Sequence, residues 1–165
     1  MEEIFSKFLI PWSISMVFAL ILLWLSIKRR TAARIIYILL FVGAGVFNIY
    51  TARTQPGQYV EGFGEHAVGP YQDFIYGSFA EHASMLVILI GLGQIAVSFL
   101  LAFPRKSLVA GAIGGIVFLV AIAPLGIGSA FPSSLIMAAG LVILIRNAPE
   151  KSIFHHLVKK PRKIS

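Results

Sequence analysis

Two Glu-His-Ala triplets, Glu65-His66-Ala67 and Glu81-His82-Ala83, stand 16 residues apart in this chain. Two imidazoles and two carboxylates are the ligand types that zinc, iron or manganese accept. An adjacent Glu-His pair is not itself a metal motif, because neighbours on a helix do not face each other. Asp73, Gly77 and Glu81 share one face of a regular helix by i, i+4, i+8 spacing. His82 falls where an apolar segment begins, which makes an idle charged role costly. Three readings stay open for Glu65, His66, Asp73, Glu81 and His82. They hold a metal, they bind a polar group or handle protons, or they solvate an interfacial segment.

All five lie in the interval 51–82, the longest polar stretch of the chain, which also holds five glycines and two prolines. The segments around it are apolar. The chain has 165 residues, 58% hydrophobic and 13% charged, with a mean hydropathy of +0.86. Soluble domains average about 45–50% apolar and about 25% charged, so the composition is that of a membrane protein. A hydrocarbon core of ~30 Å takes ~20 apolar residues per helix. That length allows four or five spans in one membrane domain. There is no cysteine, which excludes disulfides and thiolate metal sites and leaves the redox compartment open.

The expected fold is an all-α integral membrane bundle of five helices, with spans at 8–27, 31–50, 83–103, 108–125 and 132–146. Pro11 falls near the start of the first span, where a missing N–H costs least. Trp12 and Trp24 sit near its two ends, as interfacial anchors do. A signal peptide begins with a positive region. Met1-Glu2-Glu3 opens this chain and Lys28-Arg29-Arg30 follows the apolar run, so an uncleaved span is expected. The third helix is allowed an earlier start, after Gly69-Pro70. The fifth span reaches only ~21 Å at 1.5 Å per residue.

The net charge of +7 reflects threading, not nucleic-acid binding. Cytoplasmic loops collect Lys and Arg. With the N-terminus outside, 12 of the 14 basic residues fall on the cytoplasmic side, Lys7 and Arg53 excepted, and so does the basic tail 147–165. The interval 51–82 is then at the outer face. The tail, with His155, His156, Lys159, Lys160, Arg162 and Lys163, reads as an orientation signal and surface anchor that attracts anionic lipid. The expected location is a plasma (cell inner) membrane.

Asn48 and Gln94 lie within apolar spans. Polar groups there face the bundle interior and bond a neighbouring helix or a ligand. Gly43 and Gly45, and the Gly111-Ala112-Ile113-Gly114-Gly115 run, offer small faces for close helix packing. There is no nucleotide-binding glycine loop, no defensible Ser-His-Asp arrangement, no i, i+4 histidine pair and no sign of two homologous halves.

One resemblance covers residues 34 to 146. It lies in Arg34-Ile-Ile-Tyr-Ile-Leu-Leu-Phe-Val-Gly-Ala-Gly45, in Val46-Phe47-Asn48 running into a polar segment, and in a glycine-rich third span ending Leu100-Leu101-Ala102-Phe103-Pro104-Arg105-Lys106. This region resembles the DoxX-like family of small four-helix membrane proteins, to which the first span would be an addition. Asn48 stands where family members often carry histidine. The glutamate common in the third span is absent, and Gln94 is the nearest polar residue. The resemblance implies a compact helical bundle linked to membrane redox or quinone-associated systems.

The functional expectation is an accessory or ligand-binding subunit with an outer-leaflet pocket between the second and third spans. Its guest is a lipid-like, quinone-like or other hydrophobic molecule, or a partner protein, which includes a second copy of the chain. Asn48 and Gln94 orient the guest, while Glu65, His66, Asp73, Glu81 and His82 form a polar mouth. The alternatives are a membrane-embedded oxidoreductase or hydrolase using His66 and His82, and a small transporter or channel subunit with Glu81 and His82 handling protons.

Overall fold

A computed structural model describes residues 2–129, 131–148 and 152–153, with side chains from residue 9 onward except 127–129. The side chains of Glu2, Glu3 and Lys7, and most of the basic tail with His155 and His156, lie outside the described residues.

The described chain is all-helical, with no strand. Its elements are α1 (Glu2–Lys28), α2 (Arg30–Thr54), α3 (Gly57–Gly64), α4 (Gly69–Phe74), a π-turn (Ile75–Phe79), α5 (Ala80–Ala102), α6 (Arg105–Ala121), a 3-10 turn (Ala123–Ser129) and α7 (Ser133–Arg146). Three stretches are long and apolar enough to cross a membrane: Leu9–Lys28, Arg30–Thr54 and Gly69–Ala102. These are compatible with a membrane protein. Helices α6 and α7 have 17 and 14 residues.

Several boundaries differ from the sequence expectation. Pro11 lies inside α1, not in its first turn, because the helix already runs from Glu2. The interval 51–82 is not a loop. It contains the end of α2, all of α3 and α4, and the π-turn; helical structure runs on from Gly69 to Ala102, the earlier start that Gly69-Pro70 allowed. Pro70 occupies the first turn of α4, where no intrahelical N–H is lost. The 108–125 segment stops as an α-helix at Ala121, and Pro124 and Gly126 then turn the chain. Gly126 has φ +69°, a region that suits glycine because it has no Cβ.

The core is apolar, built on Leu22, Tyr37, Phe41, Leu101, Leu108 and Leu141, but large apolar side chains also cover the outside and several polar ones lie within. Ile14, Val17, Ile21, Leu39, Phe47, Met85, Leu92, Phe99 and Val117 are exposed. Ser26, Arg34, Gln94, Ser98, Ser133 and Ser134 are buried. Small and polar groups let membrane helices approach and hydrogen-bond without a hydrophobic driving force. Ser98 Oγ donates to the Ile38 carbonyl at 2.9 Å, Ser84 Oγ to that of Ala52 at 2.8 Å, and Tyr37 OH to that of Met137 at 2.7 Å.

Helices α2 and α5 make the most extensive contact and run antiparallel. Gly45 and Gly91 set their distance. A Cβ on Gly45 would stand 2.6 Å from the Gly91 carbonyl oxygen, and one on Gly91 would stand 2.8 Å from that of Gly45. Gly111 and Gly115 perform the same service for α6, against α5 and against Leu141 and Phe41. Gly45, Gly111 and Gly115 therefore serve packing within the bundle, whereas Gly43 is exposed and meets nothing within 4 Å. Helix α1 packs on α7, and Trp12 Nε1 donates to the Phe131 carbonyl at 2.8 Å.

Arg34 is buried at the foot of α5. Its Nε donates to the Leu101 carbonyl and its Nη2 to that of Phe103. Those carbonyls lie where a helix C-terminus leaves acceptors unsatisfied and favours a cation. Arg34 is thus a cap between helices as well as a topological charge. Ser152 Oγ reaches the Ala102 carbonyl at 3.2 Å, so the 29–34 turn, the 101–106 turn and residue 152 gather at one end of the bundle. The 64–68 and 123–126 segments meet at the other, where Val68 N donates to the Pro124 carbonyl at 3.1 Å.

Candidate functional site

At the end away from the basic turns, a cavity of about 560 Å³ lies among α2, α3, α4, α5 and α6. That volume is in the range of small-molecule sites. Its walls are aromatic and aliphatic, with Phe63, Phe74, Phe79 and Phe118 facing Leu86, Val87, Leu89 and Ile90. Phe74, Leu89 and Ile90 are also about half-exposed on the outer surface, so the cavity opens sideways on the flank of the bundle. The lining has three polar residues, Asn48, Tyr59 and Tyr71, and no charged one.

Its polar floor is a hydrogen-bonded row. Tyr59 OH donates to Asn48 Oδ1 at 2.8 Å, and Asn48 Nδ2 donates to Gln94 Oε1 at 2.7 Å. The row joins α3, α2 and α5. Gln94 is buried and lies behind Asn48, not in the lining itself. Burial pushes the Tyr59 phenol above its ordinary range, while a hydrogen bond with Thr51 pulls the other way. Tyr59 is therefore a neutral hydroxyl at physiological pH. Two further ring contacts stiffen the walls: Tyr59 with Phe63 at 5.9 Å and Phe74 with Phe79 at 6.0 Å between centroids. Such offset aromatic pairs add about 0.5–1.5 kcal/mol beyond area burial.

The two polar residues expected inside the bundle, Asn48 and Gln94, are thus brought together. The five expected at the mouth are not. Glu65 and Asp73 are exposed, and neither lines the cavity. Glu81 and His82 are exposed on the outer side of α5, in a separate shallow groove with Ser84, Met85, Ile88 and Leu89. His82 Nδ1 lies 3.3 Å from the Ser78 carbonyl of its own helix. His66 is half-buried, with its backbone under the 3-10 turn, where its carbonyl would lie 2.5 Å from a Cβ on Gly126.

Local backbone explains this dispersal. The shared face of Asp73, Gly77 and Glu81 presumed a regular helix. Gly77 (φ −93°, ψ −116°) and His82 (φ −125°, ψ 18°) both leave helical geometry, with the π-turn between α4 and α5. Among the described residues no three His, Asp or Glu side chains come close enough to hold a metal ion.

Sequence reasoning missed the aromatic walls. The interval 51–82 holds Tyr59, Phe63, Tyr71, Phe74, Tyr76 and Phe79, and all but Tyr76 line the cavity. The signal was there: Tyr59 and Phe63 are i, i+4 partners, and six aromatics are many for a stretch that solvates a loop.

No family model, curated protein or solved structure matches this chain.

Proposed function

We propose that this protein is an integral membrane bundle of five crossing helices, N-terminus outside, in a plasma (cell inner) membrane. In this reading it is an accessory or ligand-binding subunit whose outer-leaflet cavity takes an uncharged lipid-like or quinone-like molecule. The observation that carries the reading is the uncharged 560 Å³ cavity with its Tyr59–Asn48–Gln94 floor. An ionised group buried there would meet no counter-charge, at a cost of several kcal/mol or a shifted pKa. A carbonyl or hydroxyl finds amide and phenol partners, and its apolar remainder finds aromatic walls. Membership of the DoxX-like family is part of the same proposal and rests on residues 34 to 146 alone.

The reading as an oxidoreductase or hydrolase requires His66 and His82 to act together, and the reading as a proton-handling transporter subunit requires Glu81 and His82. His66 is half-buried beneath the 3-10 turn while His82 is exposed in a groove that it shares with Glu81, so the enzyme reading has less to rest on, and the proton-handling reading rests on that exposed pair alone. The experiment is solvent extraction of the purified protein with mass spectrometry of what co-purifies, followed by titration of the emptied protein with that molecule. Leu86→Trp, which fills the cavity, and Asn48→Leu, which removes its polar floor, should each weaken binding tenfold or more. His82→Ala should leave it unchanged. Equal binding by all three variants and the wild type removes the cavity from the function.

A further inference from the structure

At the opposite end, the α1–α2 turn forms a second groove, of about 660 Å³. Only Arg29 separates the two helices. So short a turn holds Lys28, Arg29 and Arg30 side by side, and all three line the groove and are exposed. No carboxylate lines it, and the first turn of α2 carries no acidic residue. Arg34, one turn further on, has its guanidinium committed to the Leu101 and Phe103 carbonyls. Thr31 adds a hydroxyl, and Ile27 and Ile35 give the groove an apolar flank toward the exposed hydrophobic surface of the bundle.

We propose that this groove binds the phosphate headgroup of an anionic membrane lipid. Three cations held together repel one another until an anion joins them. A phosphodiester accepts from guanidinium and ammonium groups at once. The Ile27–Ile35 flank is of no use to a dissolved phosphate, but it is the surface an acyl chain follows. The commitment is therefore to a lipid and not to a soluble anion. The proposal rests on the membrane location and not on the cavity, so each survives failure of the other.

The bland account of Lys28, Arg29 and Arg30 is orientation by diffuse charge, and the test separates the two. The purified full chain in neutral detergent is stripped of lipid. It is then titrated with phosphatidylglycerol or with phosphatidylcholine of the same chains, and adducts are counted by native mass spectrometry. Working in detergent keeps insertion orientation out of the result. The wild type should hold one phosphatidylglycerol in preference to phosphatidylcholine. Arg29→Gln/Arg30→Gln should weaken it about thirtyfold, at roughly fivefold per cation. Ala32→Trp fills the groove without changing charge and should weaken it about tenfold or more. Arg105→Gln/Lys106→Gln removes two cations from the other turn at this end and should change it little.

If that control loses as much as Arg29→Gln/Arg30→Gln, or if Ala32→Trp binds as the wild type does, the attraction is diffuse and the site is refuted. Displacement of the lipid by millimolar inorganic phosphate overturns the choice of a lipid.

Discussion

Gly45→Ala is the sharpest test of how α2 and α5 hold the cavity. The new Cβ would stand 2.6 Å from the Gly91 carbonyl oxygen and 2.8 Å from Ile95 Cγ1. Ile95 can rotate away, but the carbonyl is backbone. Ordinary contact begins near 3.4 Å, so the helices must part by about 0.8 Å. The Asn48–Gln94 hydrogen bond, at 2.7 Å, would then stretch to about 3.5 Å, where little of it is left.

Overpacking of this kind costs about 1–3 kcal/mol, and an interhelical hydrogen bond in a membrane bundle adds about 0.6 kcal/mol. Alanine returns roughly 0.5–1 kcal/mol of helix propensity. The net loss is about 1–3 kcal/mol by these figures. Gly43 and Gly93 are the internal controls, since a Cβ on either meets nothing within 4 Å. Gly43→Ala and Gly93→Ala should gain the propensity term alone, roughly 0.5–1 kcal/mol. Unfolding in detergent, followed by circular dichroism, reads all three. Ligand titration should show Gly45→Ala weakened, because Asn48 lines the cavity. Were Gly45→Ala as stable as Gly43→Ala, the close helix crossing would be wrong, and with it the geometry of the cavity floor.

Other outcomes follow from the same contacts. Arg34→Met removes both donors from the foot of α5 and should destabilise the bundle by about 2–4 kcal/mol. Arg34→Lys keeps the charge but not the fork and should recover only part of that loss in the same unfolding assay. Tyr59→Phe leaves Asn48 Oδ1 without its donor, so it should cost about 1–2 kcal/mol in stability and also lower ligand affinity. Among the described residues no carboxylate, imidazole or amine lines the cavity, and burial pushes the Tyr59 phenol above its ordinary value near 10. Affinity for an uncharged ligand should then be flat from about pH 6 to 9. A slope there would refute an uncharged ligand in an uncharged cavity. Because the Tyr59 shift is upward, its neutral form favours the folded state. That contribution is complete below about pH 10 and declines as pH rises from there. Gly126→Ala forces a Cβ onto φ +69° and against the His66 carbonyl and should lower the unfolding midpoint.

Much of the framework was legible in the residues. Hydropathy adds up along a local window, so the apolar stretches 9–28 and 30–54 and the apolar part of 69–102 announce themselves whatever they pack against. Charge is local too. Lys28, Arg29, Arg30 and Arg34 were visible as one basic turn, although nothing in the sequence says that Arg34 turns inward to cap α5. Asn48 and Gln94 stood out because an amide in an apolar helix needs a partner, and each proved to be the other's.

The site was less legible because it depends on how helices are rotated about their own axes. Spacing rules place Asp73 with Glu81 only on an unbroken helix. The departures from helical geometry at Gly77 and His82 break that premise, and Asp73, Glu81 and His82 all end up exposed. The same tertiary packing folds α3 and α4 over α2 and α5 and turns Tyr59, Phe63, Phe74 and Phe79 inward. Residue types fixed where the chain becomes greasy and where it is charged, since both are sums over neighbours in sequence. Which side chains share a cavity was decided by contacts between residues 11 to 46 positions apart, and no local sum contains those.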